Sequence, residues 1–420
     1  MAANKEGYDR RLKMVEGIAK SIETVAYVDQ CPFNFNNFIY KVELESPAVP
    51  ASFSGNQPGT TAPPEAGVDT LIVRLSNLRA EGLNNSNRVS SDVACSFIAR
   101  QAIATASLEQ IVPATYAWAP AKSIDAIEEV NFGWVVNEYK PGQDLDAQLP
   151  SLTQEEKENV LDHIAKIVSA LQNATVPPSV QQFGGLRFDA KGAIVSAEMA
   201  LVKGGPFNIY TDLWAAKLES QLAEAETSPV LEGWRDEDIA KRIRGFIMNG
   251  GLNKALQGVG LSERAFVHGD LTTNNMLYDA TSKKITALLD FDWSVVTHPA
   301  EEFFSGFRDI GGCIQDEPKG FQAAILANDF SSRPESLTEE ENQQWRNAKD
   351  WSAAAGRNDV RLPSDIAGVE KIKTLHDFSD AICPFELSSA VMLRRLSEEA
   401  KAKKMKEVRE TITEFLDNHN

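Results

Sequence analysis

Cysteine is scarce in this sequence, and the few cysteines that occur are far apart. The 420 residues contain four, Cys31, Cys95, Cys313 and Cys383, and none forms a closely spaced pair suited to zinc or disulfide exchange. Scattered thiols of this kind are typical of proteins in a reducing compartment. The cysteine pattern therefore argues against a disulfide-stabilised fold and favours a cytoplasmic protein.

Long apolar segments are also missing. A membrane-spanning helix needs about 18 or more consecutive apolar residues, and no run in this chain approaches that length. The first residues, MAANKEGYDRRLKMVEGIAK, lack the apolar centre of a signal peptide. With 43% hydrophobic residues, the chain can form one large or two moderate domains. We expect a soluble protein without a membrane partner.

Positive charge is in short supply relative to negative charge. The sequence has 42 Lys and Arg residues against 60 Asp and Glu, which gives a formal net charge of -18. Proteins that bind nucleic acid neutralise its phosphates with Lys and Arg, so this balance argues against a nucleic-acid partner. An acidic cleft could attract a cationic substrate, but acidity can equally serve solubility alone.

Three polar residues in the stretch 266–293, FVHGDLTTNNMLYDATSKKITALLDFDW, carry the clearest functional signal. Asp270 and Asn275 have the spacing of a kinase catalytic loop, in which the acid faces the attacking hydroxyl and the amide binds magnesium. Asp290 follows an apolar run and has the position of a second acid for the same metal. Their order predicts a phosphoryl-transfer site.

Short apolar runs in the same stretch predict the strands that would hold this site. Residues 276–278 and 285–289 flank a polar turn, which indicates a hairpin. The hairpin would bring Asp290 beside Asn275, and oxygen ligands of this kind suit magnesium. A further short strand is expected at 265–267, directly before the loop.

At these residues the sequence resembles the aminoglycoside phosphotransferase family, which shares a kinase-like fold with choline kinases. The loop reads HGD-x4-N and the metal-binding segment reads LLDFD. The resemblance is strongest over residues 33–312 and faint beyond them, and the turn-rich segment 183–207 resembles longer, fungal-type members. It implies an α+β, bilobal protein-kinase-like fold. The N-lobe would be β-rich and span residues 1–139, and the C-lobe would be mainly α-helical and span 140–420.

The resemblance also implies a reaction. The chain would transfer phosphate from ATP to a hydroxyl group of a small molecule, with Asp270 as catalytic base and magnesium bound by Asn275 and Asp290. His268 would brace the loop by hydrogen bonds. Asp292 is left with two alternatives, a supporting acid or a residue that faces the acceptor.

A strand cation and a helix acid would complete the phosphate site. Arg74 ends a predicted strand at 70–75 and has the position of the cation that binds the α and β phosphates; the alternative is a surface arginine. Asp92, in a helix predicted at 90–104, lies near the position of the acid that pairs with this cation. An interaction with the helix dipole explains Asp92 equally well.

A strand that ends at Pro-Gly resembles the hinge between kinase lobes. It spans residues 132–142, and in that role Glu138, Tyr139 and Lys140 would offer backbone C=O and N–H groups to the adenine edge. An ordinary strand end would look the same in sequence. The turn that precedes the strand at 38–44 contains no glycine, so a phosphate cradle of backbone amides is not evident there.

Several further expectations concern the rest of the chain. Segment 46–67, rich in Pro, Gly, Ser and Thr, reads as a flexible insertion, and residues 330–365 as irregular. Helices are expected at 8–26, 211–225, 236–248 and 387–416. A further helix is expected to start at a capping box formed at Thr153. At the end of the metal-binding segment and beyond it, Trp293, Glu301, Glu302 and Asp309 could line the pocket of a cationic acceptor; a purely structural role is the favoured alternative for each.

Two other functions remain open on sequence alone. A pseudokinase that binds nucleotide or a partner without catalysis would account for the glycine-free turn and for Asp92. A protein kinase is less favoured, because the chain lacks a glycine-rich loop, DFG and a recognisable APE segment. The sequence does not indicate the acceptor or the oligomeric state.

Overall fold

The computed structural model describes residues 6–31, 36–53, 57–80, 83–124, 128–235, 238–314 and 319–419. Its strands are β1 (Val25–Gln30), β2 (Asn37–Ala48), β3 (Val68–Ser76), β4 (Thr115–Ala119), β5 (Trp134–Glu138), β6 (Gln143–Asp144), β7 (Gly185–Phe188), β8 (Ile194–Ala197), β9 (Ala265–Val267), β10 (Met276–Asp279), β11 (Lys284–Leu288) and β12 (Val295–Thr297). Its helices are α1 (Tyr8–Lys20), α2 (Arg88–Thr105), α3 (Leu145–Gln148), α4 (Gln154–Gln172), α5 (Tyr210–Ala225), α6 (Ile239–Met248), α7 (Gly251–Ala255), α8 (Glu302–Ser305), α9 (Lys319–Ala327), α10 (Glu339–Arg357), α11 (Val369–Ile382), α12 (Phe385–Ser388), α13 (Ala390–Leu393) and α14 (Glu398–His419).

The first part of the chain forms an antiparallel sheet with strand order β1-β2-β3-β5-β4. Alternate side chains of a strand point to opposite faces. Leu71 and Val73 of β3 are buried on the face covered by α1, in a core that includes Val15. Ile72 and Arg74 therefore lie on the other face, which is the face of the candidate site.

Helix α2 joins this sheet to the helical part of the chain. Its residues Cys95, Ile98 and Ile103 belong to the large core that also contains Ile164 and Val168 of α4. The α2 helix thus lies in sequence within the expected N-lobe, yet it packs in the core of the C-lobe. The boundary predicted at residue 139 divides the chain by sequence position. Apolar packing of α2 against α4, in contrast, connects the two lobes.

Among the described residues, the C-lobe is built around α4 and three small sheets, one of which is the β7-β8 pair. Thr153 and Glu156 form the predicted capping box at the start of α4, and the apolar stripe of this helix is buried. Strands β10 and β11 form the predicted hairpin, with β6 on the other side of β10. Strand β9 pairs with β12, which places the two ends of the stretch 266–293 side by side.

Segment 46–67 was expected to be a flexible insertion, and its described residues are docked instead. Strand β2 extends to Ala48. The side chain of Gln57 donates to Trp118 O at 2.8 Å and accepts from Trp118 N at 3.2 Å, and Pro58 O accepts from the Trp118 indole at 3.0 Å. Composition predicted a loop correctly, but free backbone groups at the edge strand β4 fix that loop on the sheet.

The expectation of irregular structure at 330–365 was wrong, because α10 occupies much of that segment. A capping box formed by Thr338 and Glu341 starts this helix, and Trp345 and Trp351 are buried along one side. The helix expected at 387–416 is divided among α12, α13 and α14, and the helix expected from residue 8 ends at Lys20. No described helix has both the length and the apolar character to cross a membrane.

Candidate active site

The predicted catalytic loop, residues 268–275, directly follows β9, and a buried glutamate accepts hydrogen bonds from its backbone. Glu302, at the start of α8, is 7% exposed. Its Oε2 accepts from His268 N at 2.6 Å and its Oε1 accepts from Gly269 N at 3.1 Å. Burial raises the pKa of Glu302 to about 7, although the two N–H groups act in the opposite direction. Glu302 therefore positions the loop and does not face an acceptor.

Replacing Glu302 by Gln tests this support. The amide can accept only one of the two N–H groups, so we expect kcat of the phosphotransfer proposed below to fall about tenfold, the equivalent of about 1.4 kcal/mol. Glu301→Gln is the matched control, because the Glu301 carboxylate lies 3.2 Å from His376 Nε2 and contacts Tyr210, away from the loop. Equal kcat values for the two variants would contradict a positioning role for Glu302.

His268 links the catalytic loop to the metal-binding segment, residues 289–293. Its ring is fully buried, Asp270 N donates to Nδ1 at 3.3 Å, and Nε2 lies 3.1 Å from Leu289 O. Because Nδ1 accepts, the proton is on Nε2. Burial lowers the pKa of His268 to about 4, so the ring is neutral near pH 7. This geometry supports bracing rather than proton transfer.

Close backbone approach fixes the residue between His268 and Asp270. Gly269 has φ of 81°, and a Cβ atom there would lie 2.5 Å from Trp293 O. A side chain would be strained by the left-handed backbone and would also clash with the metal-binding segment. The glycine of the HGD motif thus allows the two segments to touch.

Asp270 and Asn275 meet as the spacing predicts. Asn275 Nδ2 donates to Asp270 Oδ2 at 2.8 Å and to Asp270 O at 2.9 Å. Burial raises the pKa of Asp270 above its ordinary value, and the bond from Asn275 opposes this shift. The hydrogen bonds that the Asn275 side chain makes to described residues all use Nδ2, so its Oδ1 is the atom that remains for a cation.

Asp290 lies beside Asn275, because Leu289 N donates to Asn275 O at 2.8 Å. Its backbone is left-handed, with φ of 59°. Its Oδ1 is buried and has no hydrogen-bond partner in the part of the chain that the structure describes. Burial, reinforced by the nearby Asp292, raises the pKa of Asp290 to about 7. A buried carboxylate without a partner is a fitting ligand for a metal ion.

Asp292 faces neither an acceptor nor solvent. It is 5% exposed, and both of its oxygens are engaged by residues of the N-lobe. Oδ2 accepts from Arg88 Nη2 and from Asn37 Nδ2, each at 2.7 Å, and Oδ1 lies 3.3 Å from Arg74 Nη2. Of the two alternatives for Asp292, the structure favours the supporting acid.

The strand cation and the helix acid are in contact. Arg74 Nη2 lies 3.4 Å from Asp92 Oδ1, and both side chains are largely buried. Burial acts to lower the pKa of Arg74, but Asp92, Asp292 and Asp290 raise it above its ordinary value. Burial raises the pKa of Asp92 to about 6. Arg74 Nε has no partner among the described residues, so the guanidinium retains a donor for a ligand.

The hinge residues divide into supporting and available groups. Glu138 N donates to Ala114 O at 2.8 Å, and Glu138 Oε2 accepts from Ala114 N at 3.0 Å. The Lys140 ammonium donates to Gln110 O at 2.9 Å and lies 2.9 Å from Glu138 Oε1. The N–H of Glu138 is therefore occupied, and the next donors along the hinge belong to Tyr139 and Lys140.

The other acidic residues expected around an acceptor differ in exposure. Glu301 is held by Tyr210 and His376, whereas Asp309 is exposed at the surface, where it accepts from Thr273 N at 2.6 Å. This contact places Asp309 beside the loop that carries Asp270. Trp293 is half-buried, with its Nε1 unpartnered among the described residues.

Two residues of this site were missed in sequence. Arg88 and Asn37 bind Asp292, yet neither belongs to a recognised motif. One signal was present: Arg88 is the first residue of α2, and a cation is unfavourable at a helix N-terminus unless an anion compensates it. The glycine-free turn includes residues 32–35, which lie outside the described residues, so its role as a phosphate cradle stays untested.

Comparison with known proteins identifies the family and the fold of this chain. A model of the phosphotransferase enzyme family matches residues 70–334. The fold is similar to the gentamicin complex of aminoglycoside phosphotransferase APH(2'')-IIa, with 14% identity, a TM-score of 0.50, and 96% of this chain and 97% of that chain covered. ADP-bound APH(2'')-Ib gives 13% identity, a TM-score of 0.49, and 96% and 98% coverage. A comparison with curated protein sequences gave no significant match.

The predicted α+β, kinase-like fold is confirmed, and the likeness to longer fungal-type members stays a prediction. The family match extends over more than half of the 420 residues and includes the catalytic loop, the hinge and Arg74. The chain therefore belongs to the phosphotransferase enzyme family.

Proposed function

We propose that this chain is an ATP-dependent kinase that phosphorylates a hydroxyl group of a small molecule. The observation that carries the proposal is the convergence of Asp270, Asn275 and Asp290 on one site. The hydrogen bonds between Asn275 and Asp270 and between Leu289 and Asn275 support it, each at 2.8 Å. Arg74, reaching the same site from β3, supplies the cation that phosphate groups require.

The residues present fit a magnesium ion. Asn275 Oδ1 and the unpartnered Oδ1 of Asp290 would hold it. No group of three or more His, Cys, Asp or Glu side chains suited to a metal occurs among the described residues. Magnesium needs no such cage, because it binds one or two protein oxygens and takes its other ligands from phosphates and water. A bound magnesium ion would supply positive charge to offset the negative charge of the phosphates.

Asp270 would act on the acceptor. Its carboxylate would accept a hydrogen bond from the acceptor hydroxyl and orient the oxygen toward the γ-phosphorus. As the new O–P bond forms and the bond to the β-γ bridging oxygen breaks, the hydroxyl proton passes to Asp270. The transfer would be late, since the transition state is loose and the hydroxyl needs little prior activation.

The nucleotide would lie between the sheet and the C-lobe. Arg74 would bind the α and β phosphates, with Asp92 behind it. Backbone groups of Glu138, Tyr139 and Lys140 would meet the adenine edge. Because the N–H of Glu138 already donates to Ala114 O, the donors to adenine would be the N–H groups of Tyr139 and Lys140. The boundary between the lobes would fall within this hinge, after residue 139.

A cationic acceptor would meet Asp309 rather than Glu301 or Glu302. Asp309 is exposed beside the loop that carries Asp270, and its contacts with Thr273 use only Oδ2, whereas both carboxylate oxygens of each glutamate are engaged by His376, Tyr210 or the catalytic loop. This supports a hydroxylated, cationic small molecule as the first acceptor class to test. The proposed location is the cytoplasm, where ATP is available.

Metal-dependent ATP turnover against a panel of hydroxylated amines, sugars and aminoglycosides tests the proposal. Acceptor-dependent ADP release is expected for at least one class, and chelation of magnesium should abolish it. Binding of Mg·ATP without turnover on any acceptor would favour the pseudokinase alternative. Phosphorylation of peptides instead would indicate a protein kinase, and a chain that binds no nucleotide would overturn the proposal.

A further inference from the structure

Arg88 is a buried cation that the proposed function does not use. Its side chain is 1% exposed, and its guanidinium contacts several segments at once. Nη2 donates to Asn36 O at 2.5 Å and to Asp292 Oδ2 at 2.7 Å, and Nη1 donates to Asn77 O at 3.2 Å. Arg88 thereby ties the start of β2 and the end of β3 to the metal-binding segment.

Arg88 and Arg74 share one carboxylate, but they do not share it equally. Arg88 approaches Asp292 Oδ2 at 2.7 Å, whereas Arg74 approaches Oδ1 at 3.3 Å and Asp92 at 3.4 Å. The shorter bond, reinforced by Asn37, makes Asp292 chiefly the partner of Arg88. Arg74 is held by two longer contacts, and its Nε has no partner among the described residues.

A nucleotide would change this balance. Phosphates would attract the Arg74 guanidinium and weaken its 3.3 Å contact with Asp292, and a buried carboxylate that loses its cation is strongly destabilised. Arg88 removes that penalty, because it continues to neutralise Asp292 after Arg74 has moved. Without Arg88, Asp292 would have Arg74 as its compensating guanidinium and would compete with the phosphates for it.

We propose that Arg88 is a positioning residue that holds Asp292, so that Arg74 is available to the phosphates of the nucleotide. The inference rests on the proposed function, since it assumes a nucleotide between the lobes. It adds a role for the first residue of α2 and for the second acid of the LLDFD segment. Arg88 itself touches neither nucleotide nor acceptor.

Arg88→Gln tests the proposal by direct binding of Mg·ADP, which contains the α and β phosphates. At pH 8 the affinity is expected to fall about tenfold or more, the size of one lost charge-assisted hydrogen bond. Affinity for adenosine, which lacks phosphates, should change little. Equal losses for both ligands would indicate a general disruption of the cleft and would overturn the proposal.

Compensation provides a readout that a purely structural role would not give. In Arg88→Gln/Asp292→Asn the competing carboxylate is gone, so the affinity for Mg·ADP should recover most of the loss. The double variant also removes a buried charge pair as a unit, which proteins tolerate better than removal of one partner. Arg88→Lys keeps the charge and should retain more affinity than Arg88→Gln. No recovery in the double variant would refute the competition.

Arg79→Gln is the matched control. Arg79 follows β3, the strand that carries Arg74, but its guanidinium lies 3.9 Å from Glu129 and away from Asp292. The affinity of Arg79→Gln for Mg·ADP should therefore equal that of the wild type. If Arg88→Gln also matches the wild type, this inference fails while the proposed function stands. If the wild type binds neither Mg·ADP nor Mg·ATP, the proposed function fails and the inference falls with it.

Discussion

Replacing Asp270 by Asn is expected to lower kcat by about 10²–10⁴, the range for loss of a positioned acid or base. The amide has nearly the same shape but cannot take the hydroxyl proton. Its single acceptor oxygen would be needed for the hydrogen bond that Asn275 donates to Asp270 Oδ2 at 2.8 Å in the wild type. Mg·ATP affinity should stay close to that of the wild type, because the substituted group faces the acceptor. Steady-state kinetics with a separate nucleotide-binding measurement distinguish the two effects.

The pH dependence gives a second check on Asp270. Burial raises its pKa, so the acid limb of kcat/KM in the wild type should lie above the ordinary range of an aspartate, and this limb should disappear in Asp270→Asn. Asp279→Asn is a suitable control, since Asp279 lies at the far end of the hairpin and caps its turn. If kcat of Asp270→Asn equalled that of the wild type, Asp270 would not be the catalytic base.

Asp290→Asn is expected to abolish magnesium-dependent turnover and to stabilise the metal-free protein. Loss of the anionic ligand should lower kcat by about 10² or more, because charge stabilisation by a bound metal contributes several kcal/mol. Asn tolerates the left-handed backbone that Asp290 adopts. The fold should therefore survive, and thermal unfolding of the variant should be measurable beside the wild type.

The gain in stability follows from the direction of the pKa shift. In the unfolded chain an aspartate has a pKa of about 3.9, and in the fold that of Asp290 is raised to about 7. Below pH 4 the carboxyl is protonated in both states and costs nothing. As pH rises from about 4 to about 7 the folded state is progressively disfavoured, and above pH 7 the full cost remains. Asn removes this cost.

Thermal unfolding in a chelator checks this result. The difference in Tm between Asp290→Asn and the wild type should widen from pH 5 to pH 8, in favour of the variant. Added magnesium and nucleotide should stabilise the wild type through binding and the variant much less. A variant that is less stable than the wild type at pH 8 would show that another group, rather than a cation, compensates Asp290.

Local sequence was sufficient where the structure is local. Asp270 and Asn275 are five positions apart, and the loop between them closes with its own hydrogen bonds. Apolar runs on either side of a polar turn specify the hairpin that brings Asp290 to Asn275. The capping box at Thr153 and the buried stripe of α4 were likewise legible, because helix start signals and helical periodicity depend on neighbours in the chain.

Prediction failed where an element depends on distant contacts. The α10 sequence is polar enough to read as irregular, and its two buried tryptophans acquire a role only when other segments cover them. Segment 46–67 has the composition of a free loop, but the edge of β4 supplies hydrogen-bond partners for it. In both cases the residues that provide these contacts lie outside the segment, so the sequence of the segment does not reveal them.

The sequence by itself was sufficient to predict a kinase-like site, since the order and spacing of Asp270, Asn275 and Asp290 are properties of one short stretch. Tertiary structure decided which charges surround that site. Asp292 is bound by Arg88, from a position 204 residues away in the chain, and Glu302 supports the loop instead of facing an acceptor. Spacing along a chain constrains groups that are close in sequence, whereas the pairing of buried charges is set by the fold that buries them.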